Sequence, residues 1–103
     1  MSLIIKSVKD GDTISMRLIN GETLLAKLVS QSATEIKITK PVVANPVQQE
    51  GRYGIFYTPF CATVDEDDTH VIPMTAVLIK PVAPRAELVS AYLKMTTGLD
   101  IPG

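Results

Sequence analysis

Leu18-Ile19-Asn20-Gly21-Glu22-Thr23-Leu24-Leu25-Ala26-Lys27-Leu28 is the stretch whose reading decides the fold. It predicts a β-hairpin. Residues 13–19 alternate, with Ile14, Met16 and Leu18 on one face. Asn20-Gly21 is a favoured pair for a tight turn, because both residues tolerate positive φ. Residues 22–30 return with Leu24, Ala26 and Leu28 on one face. Upstream, residues 2–8 are a short apolar lead-in, and Asp10-Gly11-Asp12 reads as a turn. Downstream, residues 30–33 form a small polar loop. Residues 34–43 are a third strand, with Ile36 and Ile38 on one face and Lys37 and Thr39 on the other. Pro41 and Pro46 remove two backbone donors, so its far end is expected to be irregular or at an edge.

Residues 45–52 read as a polar loop. Residues 52–64 are aromatic and β-branched and read as strand four, with a bulge at Pro59. An acidic connector, Asp65-Glu66-Asp67-Asp68, leads to strand five over residues 69–82, interrupted near Pro73. The period then changes. Leu88, Ala91, Tyr92 and Met95 recur at helical spacing over residues 84–97, with Pro84 suited to the first turn and Gly98 to the stop. Residues 99–103 read as a frayed tail. The expectation is mainly β: one domain over residues 1–103, with five strands and a C-terminal α-helix.

Composition narrows the function classes. Ten basic residues face eleven acidic ones, a formal net charge of −1. This argues against binding nucleic acid by bulk charge alone, since phosphate neutralisation needs a basic surface. Any such binding must come from local clustering. No apolar run approaches membrane-spanning length. The opening Met-Ser-Leu-Ile-Ile-Lys lacks the layout of a signal peptide, and Cys61, the single cysteine, has no internal disulfide partner. A cytoplasmic location and no membrane partner are expected. A small β domain with short strands also leaves edges that must be paired or protected, and identical neighbours would do that.

The hairpin resembles the first motif of the Sm and Sm-like (LSm) family, to which bacterial Hfq is related. There an apolar strand leads to a turn glycine, then an apolar residue, a small residue and a leucine; Gly21, Leu24, Ala26 and Leu28 occupy those positions. The family usually has glycine at the place of Ala26, so a gentler bend is expected here. The resemblance covers residues 12–82, and the segments 71–72 and 76–79 look like the strand ends of the second motif. It implies a strongly bent five-stranded barrel, closed into a homo-oligomeric ring (pentamer to heptamer) that binds single-stranded RNA or DNA. Most members carry their helix first, whereas this helix comes last, a departure that fits a divergent, phage-encoded member. A related SH3-like or OB-like barrel is the alternative fold.

The family's RNA contacts lie on two loops. The first aligns to Thr34 and Lys37 and the second to Pro73-Met74. Neither carries the usual residues, nor does Pro73-Met74 match the Lys-His pair of Hfq. Fold alone does not license the family's base recognition. The candidates left are Lys27, Lys37 and Lys40 for phosphates, and Arg52, Tyr53 and Tyr57 at the start of strand four for charge and base stacking. A solvated strand face for the lysines, and core or interface packing for the tyrosines and Phe56, is the competing expectation. Asp65 and Asp67 begin like a calcium loop, but His70 and Ala76 stand where its glycine and glutamate belong. His70 and Cys61 are too few ligands for zinc, and nothing orients them as a nucleophilic pair. No enzyme activity and no cofactor are expected. Two further readings stay open: a scaffold ring without nucleic acid, and an SH3-like peptide-binding module.

Overall fold

The computed structural model describes residues 8–60, 65 and 67–97, with the side chain of Thr97 left aside. It is an antiparallel sheet of six strands with one C-terminal helix. The strands are β1 (Thr13–Leu18), β2 (Thr23–Gln31), β3 (Glu35–Gln49), β4 (Arg52–Pro59), β5 (His70–Pro73) and β6 (Val77–Val82). The helix is α1 (Ala86–Thr97). The order across the sheet is β4-β3-β2-β1-β6, and β5 lies on β3. Among the described residues no ladder joins β6 back to β4 or β5, so the sheet is open, not closed into a barrel.

The hairpin forms where expected, with a different turn. Gly21 has φ +94°, but Asn20 is not in the left-handed region. The Gly21 N–H donates to the Leu18 carbonyl (2.9 Å) and the Leu18 N–H to the Glu22 carbonyl (2.8 Å). This is a three-residue loop in which only the last residue needs positive φ. Asn20 serves through its side chain: Oδ1 accepts the Glu22 N–H at 3.0 Å. β1 and β2 then pair with Ile14 opposite Ala26 and Met16 opposite Leu24.

One face of the sheet is the main core. Ile14, Met16, Leu18, Leu24, Ala26, Leu28, Ile36, Ile38, Val43 and Ile72 are buried there together. Most lie at alternate positions along their strands, as a period of two requires. Leu25 and Val42 point to the opposite face, where Tyr92 of α1 covers them and Tyr57 and Leu88 pack alongside. Ala26 is fully buried. The sheet bends by β-bulges instead of at a glycine. Leu25 pairs with Val42 but Lys27 pairs with Thr39, so two steps on β2 face three on β3. The extra residue falls at Lys40-Pro41, and Lys40 takes φ +52°. A second bulge lies on β2 between Leu28 and Ser30. Each inserts an unpaired residue and sharpens the local twist.

Three expectations are corrected, and part of a fourth lies outside the described residues. Residues 45–49 are strand, not loop: β3 runs through Pro41 and Pro46 to a two-residue turn, Glu50-Gly51, with φ +52° and +76°. Pro41 is absorbed at the bulge. Pro46 lies beyond Ala44, the last β3 residue paired with β2, where β3 has only β4 beside it and no ladder on its other side to interrupt. Strand four ends at Pro59, and the expected continuation over 61–64 lies outside the described residues. Strand five is two strands. β5 pairs with β3, a 3₁₀ turn at Met74–Ala76 follows Pro73, and β6 pairs with β1. α1 starts at Ala86, so Pro84 precedes the helix instead of opening it.

Candidate nucleic-acid interface

The two loops singled out by the family alignment are far apart in sequence and meet in space. Residues 32–34 turn the chain from β2 into β3, and the Ser32 hydroxyl organises that turn. Its Oγ lies 3.3 Å from the backbone nitrogens of Thr34 and Glu35, which donate to it. Such side-chain capping of a backbone turn is the usual role of serine in a short loop. β5 pairs with the near end of β3, placing Pro73 opposite Glu35. The next residue closes the contact, as the Met74 N–H donates to the Thr34 carbonyl at 2.8 Å. Lys37 is exposed on the adjacent part of β3, opposite Ser30 on one side and Val71 on the other. Ser30, Gln31, Ser32, Glu35 and Lys37 line a cavity of about 130 Å³ there. This end of the sheet offers hydroxyls, one ammonium, the Glu35 carboxylate and an exposed Val71, and no aromatic ring among the described residues lines the cavity.

The six candidate residues do not form one site. Lys37 belongs to the loop end. Lys27 is exposed on β2 opposite Thr39, and Lys40 is half-buried at the bulge, its ammonium 3.8 Å from an Asp67 carboxylate oxygen. Both line a second cavity, beside α1. Arg52 and Tyr53 lie at the tip of the β3–β4 hairpin, and Tyr53 is 80% exposed. Tyr57 is half-buried beneath the helix, packed with Leu25, Val42 and Tyr92. That is the placement which the packing expectation describes. Phe56, expected as filler, is 52% exposed.

The acidic connector is a turn. Asp65 Oδ1 accepts the Asp67 N–H at 2.9 Å, and the Asp65 carbonyl accepts the Asp68 N–H at 3.1 Å. The Thr39 hydroxyl donates to the Asp67 carbonyl at 3.0 Å, which ties the turn to β3. Among the described residues no three His, Cys, Asp or Glu side chains come together as a metal site. His70 stands edge-on to Phe60, ring centroids 6.3 Å apart, with Nε2 buried and without a hydrogen bond. Cys61 lies outside the described residues. No helix among them is long and apolar enough to cross a membrane.

Sequence reasoning missed the Tyr92 hydroxyl, which donates to the Lys40 carbonyl at 2.6 Å. The signal was a tyrosine on the apolar stripe of the helix, where a buried hydroxyl needs an acceptor. No protein-family model matches the chain, and no curated protein matches it at a significant level.

Proposed function

We propose that the chain is a Sm-like, ring-forming, non-catalytic module that binds single-stranded nucleic acid, RNA foremost, at the end where residues 32–34 meet Pro73-Met74. The hydrogen bond from Met74 to the Thr34 carbonyl carries this reading, because it joins the two segments that bear the nucleotide contacts in that family. Lys37 beside them supplies charge. The strand order is also that of a barrel opened at one seam: four strands in sequence, a 3₁₀ turn, and a last strand returning to β1.

Ring formation rests on the seam. Among the described residues β4 and β6 end the strand order, each paired on one side only. Both expose apolar side chains: Tyr53, Ile55 and Phe56 on β4, and Leu78, Ile79 and Val82 on β6. Unpaired apolar edges invite strand addition. Joining the β4 edge of one copy to the β6 edge of the next is a heterologous contact that closes into a ring when the rotation fits. Each ring then repeats Lys37 once per subunit, and weak sites act together.

The test is solution mass by light scattering beside binding of short labelled RNA and DNA across a salt series. The expected result is a closed oligomer with a log–log salt slope near −0.7 per phosphate contacted. An oligomer that binds neither nucleic acid at low salt favours the scaffold reading. That second reading has its own support, since Pro73 and Met74 carry no charge and the apolar edges are the larger exposed feature. A monomer at micromolar concentration overturns the ring and leaves the peptide-binding alternative.

A further inference from the structure

We infer that the cavity between the C-terminal half of α1 and the β3 bulge is a phosphate-oxyanion site, with Lys27 and Lys40 as its cationic residues. Gly11, Thr13, Lys27, Lys40 and Thr96 line it, together with the side of α1 at Tyr92 and Leu93. It measures about 130 Å³. A water occupies about 30 Å³ of liquid, so the space is enough for one tetrahedral oxyanion.

Charge points the same way. Two ammonium groups border the cavity, and among the described residues no carboxylate lines it. Among the described residues Lys27 has no ion-pair partner. Lys40 has only the exposed Asp67, at 3.8 Å, near the limit of a useful contact. The last turn of α1 presents carbonyls worth about half a negative charge, less than the two lysines bring. Thr13 and Thr96 add hydroxyls; that of Thr96 donates to the Tyr92 carbonyl and keeps acceptor lone pairs only. Thr13 is therefore the neutral donor available to an anion.

The backbone adds an independent observation. Lys40 is held at φ +52°, a conformation that glycine or asparagine would take at lower cost. The Tyr92 hydroxyl grips its carbonyl at 2.6 Å, so helix and bulge hold the lysine in this strained place together. Strain kept at a charged residue on the wall of a cavity is a mark of function. The shared ligand chemistry is a phosphate group, from a small phosphorylated molecule or from a nucleic-acid backbone. The site lies apart from the loop end and stands without the ring.

The experiment is NMR titration of the full chain with inorganic phosphate and, separately, with a single-stranded oligonucleotide, against sodium chloride at matched ionic strength. The expected result is saturable shifts at the amides of Thr13, Lys27 and Thr96. Binding should be about tenfold weaker in Lys27→Gln, the effect of losing one charge-assisted hydrogen bond. Lys27 is exposed on a strand, so Lys27→Gln tests the site without disturbing the bulge. Lys37→Ala should leave these shifts unchanged, which separates this site from the loop end. Competition by the oligonucleotide for the same amides identifies the backbone as the source; saturation by phosphate alone identifies a small molecule. Shifts no larger than those with chloride, or equal affinity in Lys27→Gln, overturn the inference.

Discussion

Tyr92→Phe isolates one hydrogen bond and asks how firmly the helix is fixed to the sheet. The ring of Tyr92 is 1% exposed and packs on Leu25 and Val42, and phenylalanine keeps that packing. Only the hydroxyl is lost, together with its 2.6 Å bond to the Lys40 carbonyl. That carbonyl belongs to the extra residue of the bulge, which has no partner in the β2–β3 register. A typical hydrogen bond contributes about 0.5–1.5 kcal/mol net, and a buried group left without a partner costs about 1–3 kcal/mol. The acceptor is part-buried, so water satisfies some of the loss. The expected destabilisation is about 1–2 kcal/mol. For a domain of this size that is a fall in Tm of roughly 4–15 °C. Urea unfolding at one fixed protein concentration measures it, because assembly would make the midpoint depend on concentration. The slope should be unchanged, since the surface exposed on unfolding is the same. A midpoint within error of the parent chain would refute the reasoning and show that solvent already satisfies the bulge carbonyl.

Lys40→Gly relieves the left-handed strain and should raise stability by about 0.5–1 kcal/mol after the entropy lost to glycine, read from the urea midpoint. Glu50→Asn should do the same at the hairpin tip, by up to about 1 kcal/mol, since asparagine tolerates the φ of +52° found there. Tyr57→Ala should destabilise by about 2–4 kcal/mol because the ring seats the helix. Tyr53→Ala, at a ring 80% exposed, should change stability by less than about 0.5 kcal/mol; equal effects in calorimetry would contradict the placement of the two tyrosines. Ile79→Asp on the β6 edge should shift the mass seen by light scattering towards the single chain.

The alternation at 14, 16, 18 and at 24, 26, 28 was legible because a half-buried strand must repeat every two residues. The main core follows that pattern. The helix was legible for the same reason at its own period. What the sequence hid was non-local. Pro41 and Pro46 argue locally against a strand, yet a bulge absorbs one and a ladder paired on one side tolerates the other. Glu50 gives no sign of a left-handed turn; pairing of β3 with β4 imposes it. The candidate site was legible as residue types and, for the lysines, as neighbouring strand positions. The hairpin register places Lys27 beside β3 near Lys40, as the sequence suggests; the part that α1 takes in walling that cavity and in packing on Tyr57 was not legible.

β4 leaves β3 at Val42, and β5 rejoins it at Ile38. The connection over residues 60–69 is thus an excursion that departs from one strand and lands on it again four residues away. At about 3.3 Å per residue, and less across the bulge at Lys40-Pro41, its anchors lie within roughly 13 Å of each other along β3. Extra chain inserted there leaves both ladders in register. Doubling the length of such a loop costs only about 0.6 kcal/mol in closure entropy. This is the point at which the fold can accept a grafted peptide or a second domain.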